Sequence, residues 1–402
     1  MNLLNEGIAN EVVFSTQMSR KLTIDGVTSA YPVYRVRLDQ LYYNDQNDRI
    51  STWISKYKSE HDGHGPGIAQ RDEYNRLIET FIVESNPESI RKTQNNIELV
   101  DQREPGVVLA DGRIIDGNRR FSCLRRLAEK GEKYNYFETV ILDRNIESSA
   151  KQIKLLELSI QHGEEGKVDY NPIDRLVGIY NDIIDTRMLS VEEYARSTNE
   201  TTSEVRHKME LALLMIDFLE FINAPKQFHL ARDMELYSSL DELYKLLRKC
   251  HTEDEKADLK NSVYCNILMN TQGDMARFLR RLKTIIDSDH RDDFFAEQNE
   301  LAVEVIDMLP TNGKITIDTI RDDVRTNMDV RDGLARSVEK AEMKSKKSES
   351  LNRPIQLAEK ATNFIEEIDT HIFAKMNDSD LQRLKKQLVK LTNHIQEIEE
   401  LI

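Results

Sequence analysis

What this chain lacks narrows it first. No stretch approaches 18 consecutive apolar residues, so no membrane-spanning helix is expected. Residues 1–20 have neither a basic-then-apolar order nor a small-residue cleavage site, so no export signal is read and the cytoplasm is the expected compartment. Cysteine is scarce. Cys123, Cys250 and Cys265 are far apart and never in Cys-x-x-Cys spacing, which argues against a disulfide framework or a structural zinc site. Positive charge is also in deficit: 56 Lys and Arg against 71 Asp and Glu leave a net charge of −15, so any contact with nucleic acid has to be local. Two stretches qualify as basic surfaces, Arg119, Arg120, Arg125, Arg126 and Lys130, and Arg277, Arg280, Arg281 and Lys283. Each is either such a surface or an ordinary solvated helix face.

What is present describes a charged, helix-rich chain. Over 402 residues, 39% are hydrophobic and 32% charged, with mean hydropathy −0.58, which suits two or three domains rather than one. Val33 to Leu38 alternate as a half-buried strand does. His61 to Gly67 are dense in turn formers, and His61 and His64 read as exposed loop residues, with no metal expected. From Val107 the pattern sharpens. Val107–Ala110 and Arg113–Ile115 flank Asp111-Gly112, a hairpin signal, because both central residues tolerate positive φ. Asp116-Gly-Asn-Arg-Arg120 follows, then Phe121, Leu124, Leu127 and Ala128 at helical spacing, a stop at Gly131, and a strand at Phe137–Leu142.

The bend at 116–120 has chemistry of its own. A glycine ahead of a helix lets a ligand approach the backbone, and the first helical N–H groups lack intrahelical acceptors and carry the positive end of the dipole. Arg119 and Arg120 add guanidinium forks suited to phosphate, and Asp116 can orient an arginine or face a metal. The plainer alternative is a chain turn with two surface charges.

Ile115 to Ala128 resembles the Gly-x-x-Arg-x-x-Ala box of ParB partition proteins and sulfiredoxin-like domains: Gly117 and Arg120 match, and Cys123 stands at the alanine. In sulfiredoxins the catalytic cysteine follows that glycine; Asn118 occupies the position here, so that activity is not implied, and Cys123 is expected to be a buried packing residue. Val168 to Arg175 resembles the Asp-Leu-Asn-Pro-Ile stretch of ParB proteins, with Pro172 at a helix start. The ParB box that contacts triphosphate and metal has its nearest counterpart in Glu157-Leu-Ser-Ile-Gln-His162. Ser159 or Leu158 falls at its asparagine and Gln161 or His162 at its arginine, and residues 163–166 are inserted after it.

Ser190 with Glu193 and Thr201 with Glu204 form two capping-box patterns around Asn199, which spells helix-turn-helix, with Tyr194, Ala195, Val205, Met209 and Leu211 inside. By the ParB resemblance its second helix would enter a major groove, with Thr202, Ser203, Arg206 and His207 nearest the bases. Glu200, Glu204 and Glu210 would repel phosphate there, and a pair used only for packing is the alternative.

The chain reads as helical from 211 to about 310. Residues 337–353 read as an exposed helix or linker, and Pro354 is expected to begin a helix with Ala361, Ile365, Ile368 and Ile372 on one face. Leu381, Leu384, Leu388, Leu391, Ile395, Ile398 and Ile402 then make a heptad seam that either folds back or pairs with another chain, self-association being favoured.

The expectation is therefore an α+β, mostly α fold: a ParB/sulfiredoxin-like α/β domain over 1–150, a helical domain over 151–336 with its helix-turn-helix at 189–214, a linker over 337–353, and a helical hairpin or coiled coil over 354–402. The resemblance covers about a third of the chain. It implies a DNA-binding homodimer with a switch driven by CTP or another nucleoside triphosphate with Mg, partition- or regulation-related. The nucleotide would contact Asp116, Gly117, Asn118, Arg119 and Arg120, with Glu157, Ser159, Gln161 and His162. Enzymatic expectation stops at weak triphosphatase activity; nuclease activity is not expected. A component of an anti-phage defence or restriction system, a helix-turn-helix regulator without nucleotide, and a scaffold remain the alternatives.

Overall fold

The computed structural model describes residues 2–24, 26–144, 146–163, 171–310 and 315–402, without the side chains at 146, 147, 162 and 349. It is mostly helical with one five-stranded sheet. The strands are β1 (Val13–Ile24), β2 (Val27–Arg37), β3 (Gly106–Leu109), β4 (Ile114–Asp116) and β5 (Tyr136–Leu142), in the order β1-β2-β5-β3-β4. β5 runs antiparallel to β2 and parallel to β3. The long β1–β2 hairpin has no counterpart in the sequence reading, which found a strand only near 33–38. Residues 14–21 of β1 and 27–30 of β2 are mostly exposed, so the alternation that betrays a half-buried strand is missing there.

The foreseen hairpin between β3 and β4 does form. Gly112 alone takes the positive φ, +95°, and a side chain there would strike the Gln40 carbonyl oxygen at 2.3 Å. Asp111 secures the turn through its carboxylate, which accepts from the Arg113 N–H at 2.9 Å and the Tyr42 hydroxyl at 2.6 Å.

Helices α1 (Ser51–Glu60), α2 (Arg71–Ser85), α3 (Pro87–Val100), α4 (Asn118–Ala128) and α5 (Ile146–Gly163) surround this sheet. One core, with Val36, Val108, Ile114, Phe121, Leu124 and Phe137, lies under α2 to α4. A second, with Val33, Val107, Val140, Ile153, Leu156 and Ile160, lies under α5. Both sheet faces are thus covered, which is why β3 and β5 read as continuous apolar runs rather than alternating ones.

Beyond the sheet come α6 (Pro172–Ile179), continued by a π-turn at Tyr180–Asp185, then α7 (Val191–Thr198), α8 (Thr202–Phe221), α9 (Phe228–Asp233), α10 (Tyr237–Leu247), α11 (Glu253–Met269), α12 (Met275–Ile286), α13 (Arg291–Asp307), α14 (Ile317–Thr319), α15 (Met328–Glu366) and α16 (Asp378–Glu399). No helix among the described residues is long and apolar enough to cross a membrane. Contacts divide the chain into two compact units, one of Met1–Lys283 with Asp293–Val338, the other of Thr284–Asp292 with Glu339–Ile402.

Residues 337–353 lie within α15, and so does Pro354, which interrupts a helix rather than starting one. Its ring costs one hydrogen bond to the carbonyl at 350, but that position is exposed and water can satisfy the oxygen. In α16 the seam residues Leu388, Ile395 and Ile398 are 39%, 45% and 60% exposed, so the heptad face is uncovered within its own unit.

Candidate functional site

The bend at the start of α4 forms as its sequence suggests, but its parts divide differently. Gly117 caps the helix in the left-handed region at φ +106°, with no side-chain cap hydrogen bond among the described residues. The space its missing side chain leaves is taken by Phe137, whose Cζ would lie 2.7 Å from an added Cβ. This glycine therefore admits a core ring. Arg120 folds back: its Nη2 lies 2.9 Å from Asp116 Oδ2, and its Nη1 donates to the carbonyls of Glu104 and Pro105. Arg20 of β1 reaches the same Asp116 oxygen at 2.9 Å and donates to the Pro105 carbonyl at 2.6 Å. Asp116 and Arg120, expected at a ligand, thus fasten the 104–105 loop and the β1 strand to the bend.

Arg119 behaves otherwise. It is half-buried, and burial together with the neighbouring Arg49 guanidinium pushes its pKa down to about 10. Among the described residues no carboxylate pairs with it. Asn118 beside it is 9% exposed, and its Oδ1 accepts no hydrogen bond. Of the two guanidinium groups that weigh on Arg119, Arg49 weighs more than Arg120. Arg49, in the 3-10 turn Asp48–Ile50, carries no motif that sequence reading could have used. Cys123 is buried against the Ile90 carbonyl, and burial raises its thiol to about 12, as suits a packing residue.

The second group of expected nucleotide ligands lies on α5 and faces inward. Ile153, Leu156 and Ile160 pack on the sheet, and Leu155 and Leu158 join the core of α7 and α8. Between these two apolar stripes runs a buried polar one, Lys154, Glu157 and Gln161. Glu157 accepts from Gln161 Nε2 at 2.9 Å and from Asn44 Nδ2 at 3.4 Å. Lys154 Nζ donates to Asp48 Oδ1 at 2.7 Å and lies 3.4 Å from Asp182 Oδ2. Burial raises Glu157 to about 8 and Asp182 to about 7, against the pull of Lys154. Expected beside a nucleotide, Glu157 and Gln161 are instead buried, because the stripe they occupy lies between apolar residues on both sides. Ser159 Oγ donates to the Leu156 carbonyl of its own helix at 2.8 Å. The His162 side chain lies outside the described residues. A lysine and a glutamate three apart, set among Ile153, Leu155, Leu156 and Leu158, were the available signal.

Both capping boxes around α7 and α8 are formed, and Asn199 joins the helices at φ +56°, ψ +41°. Tyr194, Ala195, Val205 and Leu211 are buried, with Met209 partly so. Thr202 and Ser203 are exposed at the start of α8; Arg206 is exposed and 3.5 Å from Glu192. His207 departs from the expected outward face: its Nε2 lies 2.8 Å from Asp241 Oδ1, and its ring meets Tyr244 edge-on, both on α10. Glu200 is turned away from solvent by Arg175 and by Lys208 Nζ, the latter at 2.8 Å, which removes one of the expected repulsive charges.

An open cleft of about 820 Å³ lies toward the other end of α4, lined among others by Arg37, Arg76, Glu79, Arg125 and Arg126. Two of its ion pairs are Arg125 with Glu79 at 2.8 Å and Arg37 with Asp39 at 2.7 Å. No family model and no curated protein matches this chain. It is similar to a solved structure described as a Pnob8-like ParB-N domain, at 12% identity and a TM-score of 0.32, covering 77% of this chain and 98% of the other.

Proposed function

We propose that the chain is a ParB-like DNA-binding protein in which a nucleotide phosphate, from CTP or another nucleoside triphosphate with Mg, seats at the start of α4 and biases how α7 and α8 meet DNA, in a partition- or regulation-related role. One observation carries the phosphate seat: Arg119, which has no carboxylate partner among the described residues, is half-buried beside the first turn of a helix, where burial first and the nearby Arg49 second disfavour its charge. A desolvated guanidinium so placed gains from a phosphate that accepts from it and from the helix N–H groups. Arg119, Asn118 and the turn at Gly117 are the contacts in this reading. Arg120 and Asp116 hold the loop in shape.

Isothermal titration with CTP, ATP and GTP, each with Mg, tests it. Binding of one nucleotide that is lost in Arg119→Ala supports the seat; no binding of any of the three overturns it. The proposed assembly is a homodimer paired through the uncovered α16 seam, which analytical ultracentrifugation of the full chain and of Leu388→Asp would separate.

A second reading, a regulator that needs no nucleotide, is favoured by the α7–α8 pair itself. Its caps, turn and exposed Thr202, Ser203 and Arg206 owe nothing to the α4 bend. Salt-dependent binding to one operator, unchanged by nucleotide, would support it.

A further inference from the structure

Four charged side chains meet in the seam where three parts of the fold join. Asp48 comes from the turn before α1, Lys154 and Glu157 from α5, and Asp182 from the π-turn after α6, and all four are buried. Among the described residues, one ammonium faces three carboxylates. Lys154 spends its shortest contact on Asp48 at 2.7 Å and reaches Asp182 Oδ2 only at 3.4 Å. Asp48 also presses on α6, where a Cβ on Gly178 would lie 2.7 Å from its Oδ2, so the helix fits against the carboxylate only as glycine.

We propose that this cluster is a proton-linked joint: a proton held on the Glu157 and Asp182 carboxyls keeps the turn before α1, α5 and the π-turn together, and its loss loosens the seating of α7 and α8.

The charge count gives the reason. Three ionised carboxylates and one ammonium would leave two uncompensated negative charges in a sealed site, a state far costlier than protonating a carboxyl. The other groups facing the cluster do not supply the missing positive charge. Tyr194 of α7 is neutral there, its hydroxyl held well above its usual range by burial. On α6, Arg175 is held by Glu200, and Asp174 is engaged with Ser51 and Thr52. What the joint controls follows from α5, whose Leu158 enters the same core as Ile179, Ile183, Tyr194 and Val205. Loosening the polar stripe therefore loosens the wall on which α7 and α8 rest.

The sign is fixed by the direction of the shifts. Both carboxyls are raised when folded, so the folded chain holds protons that the unfolded chain has released, and the joint weakens as pH rises through neutrality.

Hydrogen exchange of the full chain at about pH 6 and about pH 9, corrected for intrinsic rates, reads the joint directly. The expectation is a loss of protection over residues 180–221 of about tenfold or more at the higher pH, a loss that Glu157→Gln and Asp182→Asn reduce or abolish. Equal protection at both pH values, or an undiminished loss in both variants, overturns the proposal. Should a variant fold poorly, carboxyl titration of the unaltered protein by isotope-edited infrared spectroscopy decides. Carboxyls still protonated near neutral pH are required, and complete ionisation by about pH 5.5 refutes the joint. Neither nucleotide nor DNA enters these measurements, so their outcome is independent of the phosphate seat.

Discussion

Two charged sites are unbalanced in opposite senses. At the start of α4, Arg119 has no carboxylate partner among the described residues and lies near the guanidinium of Arg49. One residue before Arg49, Asp48 belongs to a cluster with more acids than bases. Burial separates their fates. The arginine site is only half-buried, so an anion from solution can enter, and a guanidinium keeps its charge at any pH a cell reaches. The carboxylate site is sealed, so only a proton can correct it, and carboxyls give that proton up near neutrality. A charge imbalance thus reads as a binding site where solvent reaches it and as a titrating joint where solvent does not.

The largest expected effect breaks the sealed side. Lys154→Met removes the ammonium and leaves three carboxyls together, which should cost about 3–5 kcal/mol in urea unfolding near pH 7.5. Recovery of most of that loss at lower pH would follow from protonation, and an equal loss at every pH would mean that packing and not charge is responsible. Next is Gly117→Ala, which puts a side chain at φ +106° against the Phe137 ring and should lower stability by about 2 kcal/mol or more by the same measurement.

The two arginines of the bend should then separate. Arg120→Ala strips Asp116 and two carbonyls of their donor and should destabilise by roughly 1–3 kcal/mol. Arg119→Ala should leave thermal stability unchanged or slightly raised while weakening phosphate binding. The reverse pattern would move the anion seat back to Arg120. Smallest is the effect of inorganic phosphate alone: millimolar amounts should raise the melting temperature of the unaltered chain by a degree or so and leave Arg119→Ala unmoved.

Local signals were legible wherever one element suffices to express them. Asp111-Gly112 specified its turn, Ser190 with Glu193 and Thr201 with Glu204 specified two helix starts, and Gly117 specified a left-handed cap. The β1 strand was not legible, because residues 14–21 are mostly exposed and its alternation is confined to Leu22–Ile24. The ParB resemblance put His207 near the bases, and what no local pattern showed is that α10, remote in sequence, supplies Asp241 and Tyr244 to meet it. The bend was half legible: the glycine and the arginines were rightly grouped, yet which arginine is spent on structure depends on Arg20 and the 104–105 loop.

The sequence alone determined the α+β, mostly α class, the α4 bend, the paired capped helices and the apolar seam of α16, because hydrophobic period, capping and turn chemistry act within a few residues. Only the tertiary structure decided that Arg119 keeps company with Arg49 while Arg120 does not, and that Glu157 meets Asp48, Lys154 and Asp182 out of reach of water. Those outcomes depend on charges brought together from distant segments and on how much solvent is left between them, and no local pattern encodes either.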